Sequence, residues 1–299
     1  MNKLRTLLTT VLLGAVVLLT GCTAAVPEPT VDAVPENVAV LFSSLAEIWL
    51  DAGGEIAITV GETVERGFAP ADTPLVDEGA GKTVNLELLI SLQPDLVICS
   101  ADIPAQVEAA ALLHTAGIPT MLCRVECFED YLTTLDEMTR ITGCRDAYTA
   151  GLTLQAEIDA VLAQAQTFAI KDILFVRAGS TDASTKAKLP EDHFACAMLE
   201  EFGCRNIAEL APVLLDGLSM EAILLSAPDH IFFSLMGNPE TALAHVQTLL
   251  EGEAWGQLTA VREGNVTILP KELFHYKPCG RWAEAYAFLA DVLTEDTTS

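Results

Sequence analysis

NLELLISLQPDLVICS occupies residues 85–100, and SMEAILLSAPDHIFFS occupies residues 219–234. The two overlay without a gap at an offset of 134 residues: Glu87 falls on Glu221, Pro94 on Pro228, Asp95 on Asp229 and Ser100 on Ser234. Between these anchors apolar positions match apolar positions. Each copy reads as a short helix capped by Asn85 or Ser219, a Pro-Asp turn, and an apolar strand. Two further pieces recur in the same order. LAEIWLDAGG, closed at Gly53, matches HFACAMLEEFGC, closed at Gly203, and GIPTML (117–122) matches GNVTIL (264–269). NVAVLF (37–42) and DILFVRAGS (172–180) read as further strands, and 96–99 and 120–123 complete the first set. Strands alternating with helices mean βα units around a parallel sheet. The expected fold is α/β, with two Rossmann-like lobes containing parallel sheets.

The segment 145–167 has helix-forming composition and an apolar stripe through Tyr148, Leu152, Ile158 and Leu162. It is expected to be a single long backbone helix joining the lobes. The division along the chain is then 37–143 for the first lobe, 144–168 for the linker helix and 169–299 for the second lobe. Ahead of these, MNKLRTLLTTVLLGAVVLLTGC carries Lys3 and Arg5 before an apolar run that stops at Cys22. That is the pattern of a secretory signal over 1–22, too short for a working membrane span. The LLTGC ending resembles a lipobox, in which Cys22 takes the lipid. Residues 23–36 are Pro-rich and small, and read as a tether.

The formal charge is −26, with 42 acidic and 16 basic residues. The residues ahead of Cys22 hold two basic residues and no acidic one, so the part from Cys22 onward carries −28. Such a chain does not bind nucleic acid through a general basic surface. Seven cysteines follow Cys22 with no CxxC, so neither a zinc ribbon nor a thioredoxin-like site is indicated. Cys99, Cys123 and Cys196 sit in apolar strand or helix patterns and read as buried free thiols. GAGKT (79–83) has the ending of a P-loop, but the position that needs its first glycine is Val76. There is no HExxH and no GxSxG. The five histidines are scattered, which speaks against a bare-metal site.

With these segments in place, the chain resembles the helical-backbone class of ABC-transporter substrate-binding proteins, which includes receptors for ferric siderophores, haem and vitamin B12. The resemblance is carried by NLELLISLQPDLVI, GIPTMLCRVECFEDYLTTLDEMTRITG, the linker helix and LFHYKPCGRWAEAYAFLADVL. It implies a non-enzymatic receptor, a monomer, lipid-anchored on the outer face of the cell membrane. It would hold an anionic iron chelate in the inter-lobe cleft and pass it to a permease dimer driven by its ATPase. A corrinoid receptor is the alternative, and an enzyme such as a chelatase on the same scaffold is a more distant one. No cofactor is expected, metal entering only as part of the transported chelate. Glu87 and Glu221 match the family's permease-docking glutamates. A plainer role for both is helix-dipole compensation.

In open parallel sheets, ligands bind beyond the carboxyl ends of the strands. That places Ser43, Ser44, Arg66, Ser100 and Arg124 on the first lobe's side of the cleft. Arg177, Ser180, Lys186, Lys188, His275 and Tyr276 fall on the second. Six of the 14 basic residues after Cys22, Lys277 among them, fall in or beside these segments, which would focus a positive field on an anion. Pairing with neighbours such as Glu65 or Glu126 is the competing reading. Phe128, Phe274 and Tyr276 are candidates to stack on a flat ligand, with lobe core as the other reading for the phenylalanines. His275 or Tyr276 is a candidate axial ligand to a chelated metal.

Overall fold

A computed structural model describes residues 34–77, 83–165 and 170–295. The signal segment, Cys22, most of the tether, residues 79–82 of the P-loop-like stretch and the last turn expected of the linker lie outside the described residues.

The first lobe contains β1 (Val38–Val40), α1 (Ser43–Asp51), α2 (Gly61–Glu65), α3 (Leu86–Ser91), β2 (Leu96–Ser100), α4 (Pro104–Thr115), β3 (Thr120–Cys123) and α5 (Phe128–Thr142). Its strands are parallel in the order β1-β2-β3, in register at Val38↔Leu96 and Ile98↔Met121. Then come α6 (Arg145–Ala165), β4 (Asp172–Ala178), β5 (Lys186–Ala187), α7 (Phe194–Glu201), β6 (Arg205–Asn206), α8 (Met220–Ser226), β7 (His230–Leu235), α9 (Pro239–Leu250), α10 (Thr259–Glu263), β8 (Val266–Ile268), α11 (Lys271–Phe274) and α12 (Trp282–Glu295). The second sheet runs β5-β4-β7-β8, with β6 also on β4. It is parallel except for β5, which pairs antiparallel with β4 at Arg177↔Lys186. The stretch around Lys186, read from sequence as loop, is thus an edge strand.

The repeat is structural. Asn85 Oδ1 accepts from the Leu88 N–H at 3.0 Å, and Ser219 Oγ from the Ala222 N–H at 3.4 Å, capping α3 and α8. Both helices end on a non-glycine residue with positive φ, Gln93 at 52° and Ala227 at 45°, again 134 residues apart. Proline follows each, which bars helix continuation. Then the aspartate acts. Asp95 Oδ2 accepts from the Asn37 N–H at 2.9 Å, ahead of β1, and Asp229 Oδ2 from the Asp172 N–H at 2.8 Å, opening β4. Each Pro-Asp turn therefore clamps the entry of the neighbouring parallel strand, which fixes register. The paired helix ends at Gly53 and Gly203, and at Gly117 and Gly264, all have φ of 78–82°.

Each sheet has an outer core, built on Leu41, Val97 and Leu113 in the first lobe and Val176, Ile231 and Phe233 in the second. The inner faces share one core, in which Val40 and Ile98 of the first sheet and Phe175 and Phe232 of the second belong to the same cluster as α5, α7 and α12. Trp282 sits at the seam, edge-on to Phe128 of one lobe at 6.2 Å and to Phe194 of the other at 5.6 Å. The lobes are joined by this core as well as by α6.

At 21 residues, α6 spans about 31 Å. Its buried face runs through Gly151, Ile158 and Ala165, and Leu152 is 46% exposed, so the apolar stripe expected through Leu152 is corrected. The cause is close packing on α5. A Cβ at Gly151 would lie 2.9 Å from both Leu132 and Leu135, so the helix turns its smallest residue to its neighbour.

Candidate functional site: the inter-lobe cleft

On the first lobe, β1 leads directly into α1, which places Ser43 and Ser44 at its start. Both are buried. Ser43 Oγ donates to Glu62 Oε2 at 2.6 Å and accepts from Arg66 Nη1 at 3.1 Å. Arg66 also pairs with Glu47 at 2.7 Å, rather than with Glu65. Its guanidinium stands 4.0 Å from the Tyr276 ring centre and 4.6 Å from that of Phe68. Tyr276 belongs to the second lobe, so this cation–π contact crosses the cleft. Ser100 Oγ accepts from the Asp102 N–H. Asp102 in turn holds Arg124 at 2.9 Å, while the Arg124 side chain is 70% exposed. Glu126 takes Lys277 from the other lobe at 2.7 Å. Burial raises the Glu126 carboxyl in spite of Lys277.

The second lobe differs. Strand alternation places Phe175 and Arg177 on the inner face of β4. Register then sets Lys186 of β5 and Ser234 of β7 on either side of Arg177, with Lys188 beside Phe175. No carboxylate pairs with Arg177, Lys186 or Lys188 among the described residues. Burial, with no opposing charge, lowers the pKa of Arg177. Two cations directly opposite on neighbouring strands repel. In a chain of charge −26, an uncompensated row of three concentrates a local positive field. Ser180 is exposed at the end of β4.

His193 lies over Phe175 with ring centres 4.8 Å apart. Its Nδ1 accepts from the Ala195 N–H at 3.2 Å, so the neutral ring carries its proton on Nε2 and donates it to Ser234 Oγ at 3.2 Å. Ser234 passes its own proton to the Phe274 carbonyl at 3.3 Å. Burial, then Arg177, Lys277, His275 and Lys188, hold His193 down at about 3. This Ser–His contact therefore has no basic nitrogen facing the hydroxyl, and it anchors the α11 turn instead of activating a nucleophile. Across the same turn, His275 Nδ1 donates to the Leu235 carbonyl at 3.0 Å. Its Nε2 keeps a lone pair with no partner among the described residues, and burial lowers its pKa. A ring nitrogen oriented by a backbone carbonyl through its opposite N–H is the arrangement of a metal-ligating imidazole. Among the described residues no group of three or more His, Cys, Asp or Glu could hold a bare metal ion.

Two residues expected to stack on a ligand do not. Phe128 is packed against Tyr131 and Trp282, and Phe274 is fully buried against Phe288, because both follow the apolar side of their helices into the shared core. Tyr276 remains at the cleft, with Arg66 and Lys271 both near its ring. Glu87 and Glu221 are exposed in the first turns of α3 and α8. The sequence reading passed over Glu47, Glu62, His193 and Ser234 as site residues. Of these Ser234 carried a signal as the repeat mate of Ser100, and His193 one as a loop-placed histidine.

The family model "Periplasmic binding protein" matches residues 38–273. The chain belongs to the periplasmic binding protein family. Among solved structures, it is similar to the periplasmic haem-binding protein RhuT of Roseiflexus sp. RS-1, at 18% identity and TM-score 0.70, covering 88% of this chain and 99% of that one. It is similar to the periplasmic vitamin B12-binding protein BtuF of Vibrio cholerae, at 16% identity and TM-score 0.69, covering 89% and 99%. SirA of Staphylococcus aureus, solved with staphyloferrin B, follows at 17% identity and TM-score 0.62, covering 89% and 94%. Compared with curated protein sequences, the chain gives no match.

Proposed function

We propose that the chain is the extracytoplasmic receptor of an ABC importer, that it takes an anionic metal chelate, a ferric siderophore or haem, into the inter-lobe cleft, and that it catalyses nothing. The unpaired row Arg177–Lys186–Lys188 is the observation that carries the reading. It supplies two or three charge-assisted donors for carboxylates or catecholates. The free Nε2 of His275, a residue near enough to Arg177 to feel its charge, is suited to the metal of a tetrapyrrole. Similar folds that bind haem, vitamin B12 or a staphyloferrin complex support the class of cargo. Delivery would use Glu87 and Glu221, one on each lobe, against cationic pockets of a two-subunit permease, where paired charges set orientation and encounter rate. Cys22 would carry the lipid that keeps the receptor at the membrane.

The test is titration of the lipid-free mature chain with haemin, ferric siderophores of the carboxylate and catecholate types, and cyanocobalamin, read by tryptophan quenching. The reading expects a 1:1 complex with an anionic chelate that weakens as salt rises and returns its ligand unchanged. Salt-independent binding of the corrinoid alone would reassign the cargo, and chemical conversion of any ligand would make the protein an enzyme.

A further inference from the structure

A groove of about 300 Å³ lies under the backbone helix, walled by Asp51 at the end of α1, Tyr131 and Leu135 of α5, Ala150 and Leu154 of α6, and Gly280. It is separate from the cleft residues described above. Its walls are apolar except at one end. There the Asp51 carboxylate has no hydrogen-bond donor and no cation among the described residues. Tyr131 is 2% exposed, and its hydroxyl has no partner either. A Cβ at Gly280 would sit 3.5 Å from Asp51 Oδ2, so the second lobe's backbone closes directly on the carboxylate. One turn back on α1, Glu47 adds a second negative charge, already engaged by Arg66.

Asp51 is exposed at the mouth of the groove, and an unpartnered carboxylate beside low-dielectric walls attracts any cation that enters. A phenol oxygen beside it can accept a second N–H. The remaining wall, Leu135, Ala150 and Leu154, suits hydrocarbon. We propose that this groove is a second ligand site, for a small monocation with an apolar body, an alkyl- or arylammonium. The volume is at the lower end for small-molecule pockets and fits a ring with a short amine arm.

Burial, then Glu47, push Asp51 up to about 6. The groups that face it or its neighbours are Glu47 on α1, Tyr131 on α5, Cys279 beside Gly280, and Arg66 beyond Glu47. Burial raises both Tyr131 and Cys279, so neither ionises near neutrality. The Asp51 carboxylate gains its proton as the pH falls through about 6, and cation binding fades with it.

The probe is benzylammonium, with benzyl alcohol as its uncharged match, titrated by calorimetry or by amide chemical shifts at neutral pH. Benzylammonium should bind at least tenfold more tightly than the alcohol. Asp51→Asn should abolish that preference, Ala150→Trp should abolish binding of both by filling the groove from an exposed position, and Glu240→Gln, on α9, should change nothing. A preference that persists in Asp51→Asn would assign it to the general acidity of the chain and overturn the proposal. So would equal binding of the alcohol, or no binding of benzylammonium to the unaltered protein. Both substitutions lie at the groove surface, and unchanged melting of Ala150→Trp keeps the result interpretable if Asp51→Asn alters the fold.

Discussion

The two lobes share their caps, their Pro-Asp clamps and their glycine turns, yet their cleft walls carry opposite electrostatics. On the first lobe each cleft arginine is matched: Arg66 by Glu47, Arg124 by Asp102. On the second, Arg177, Lys186 and Lys188 have no partner among the described residues, and the remaining cation, Lys277, reaches across to Glu126. The repeated units keep in common what folds a lobe, and they differ in how their cleft charges are paired. The first wall holds itself together and grips the second through Arg66–Tyr276 and Glu126–Lys277. The second wall keeps three cations without a carboxylate partner among the described residues.

Arg177 is where breaking this contrast should show most. Arg177→Gln removes a half-buried donor, and a charge-assisted hydrogen bond contributes about 1.5–3 kcal/mol. Affinity for an anionic chelate should drop by about 10- to 100-fold in tryptophan-quenching titrations. Arg124→Gln, on the paired and exposed side, should leave it nearly unchanged. Equal losses from the two would mean that pairing does not distinguish the walls. Lys186→Gln carries a second signature: weaker binding, together with melting no lower than before, because a cross-strand repulsion is relieved.

The second expected effect concerns pH. His193 is held neutral at about 3, against about 6.5 in an unfolded chain. A depressed histidine contributes stability that is complete above pH 6.5 and is lost as the pH falls toward 3. At pH 5 the loss is about 2 kcal/mol, from 1.36 kcal/mol per unit. Asp51, Glu126 and Glu201 are raised and act in the opposite direction, while His275 is lowered and acts in the same one, so the comparison is with His193→Asn, which keeps an N-cap acceptor for α7 but does not titrate. Urea unfolding between pH 6.5 and 4 should be less acid-sensitive in the variant. Parallel curves would show that His193 is not buried neutral.

Most of the fold was legible in the sequence because it is written twice. A helix–Pro-Asp–strand unit matched at an offset of 134 residues fixes two strands and their neighbours, and β3 was read to the residue. The linker helix was legible in position but not in facing, since the face follows from Gly151 meeting Leu132 and Leu135, a contact between helices that periodicity does not encode. For the cleft, strand ends located the cations, while their pairing depended on Glu47 and Asp102, brought in from a helix and a loop. Phe128 and Phe274 were misplaced for a similar reason: an aromatic beside a cleft loop and an aromatic at the head of a core helix have the same sequence. His193 was loop-placed in the sequence, but its role was not legible, because it comes from Phe175 and Ser234, strands apart.

The clamps allow a test of the shared part of the comparison. Asp95→Ala and Asp229→Ala each remove a carboxylate that accepts a backbone N–H at the entry of a neighbouring strand, from Asn37 just ahead of β1 and from Asp172 at the start of β4. Both bonds are exposed, so each substitution should cost about 1 kcal/mol in urea unfolding. The two losses should be similar. A loss confined to one lobe would show that only one clamp still sets register.

The smallest effect concerns the left-handed residues ahead of the clamps. Gln93 and Ala227 occupy φ of 52° and 45°, a region that costs an L-residue about 1–2 kcal/mol. Glycine removes the Cβ clash but adds freedom to the unfolded chain worth about 0.5–1 kcal/mol. The difference predicts that Gln93→Gly and Ala227→Gly each stabilise by about 0.5–1 kcal/mol, read as a rise in the urea midpoint at unchanged slope. The prediction is sharper for Ala227, whose side chain is a single methyl and takes no part in a hydrogen bond. At Gln93 the backbone carbonyl accepts from Asn37 Nδ2 at 2.9 Å, and that bond survives substitution. If both variants gain, the strain is a shared cost of ending a short helix on the residue before a proline. If Ala227→Gly gains and Gln93→Gly loses, the Gln93 side chain stabilises the first lobe's turn in a way the second lobe has no counterpart for, and the lobes differ in folding as well as in charge.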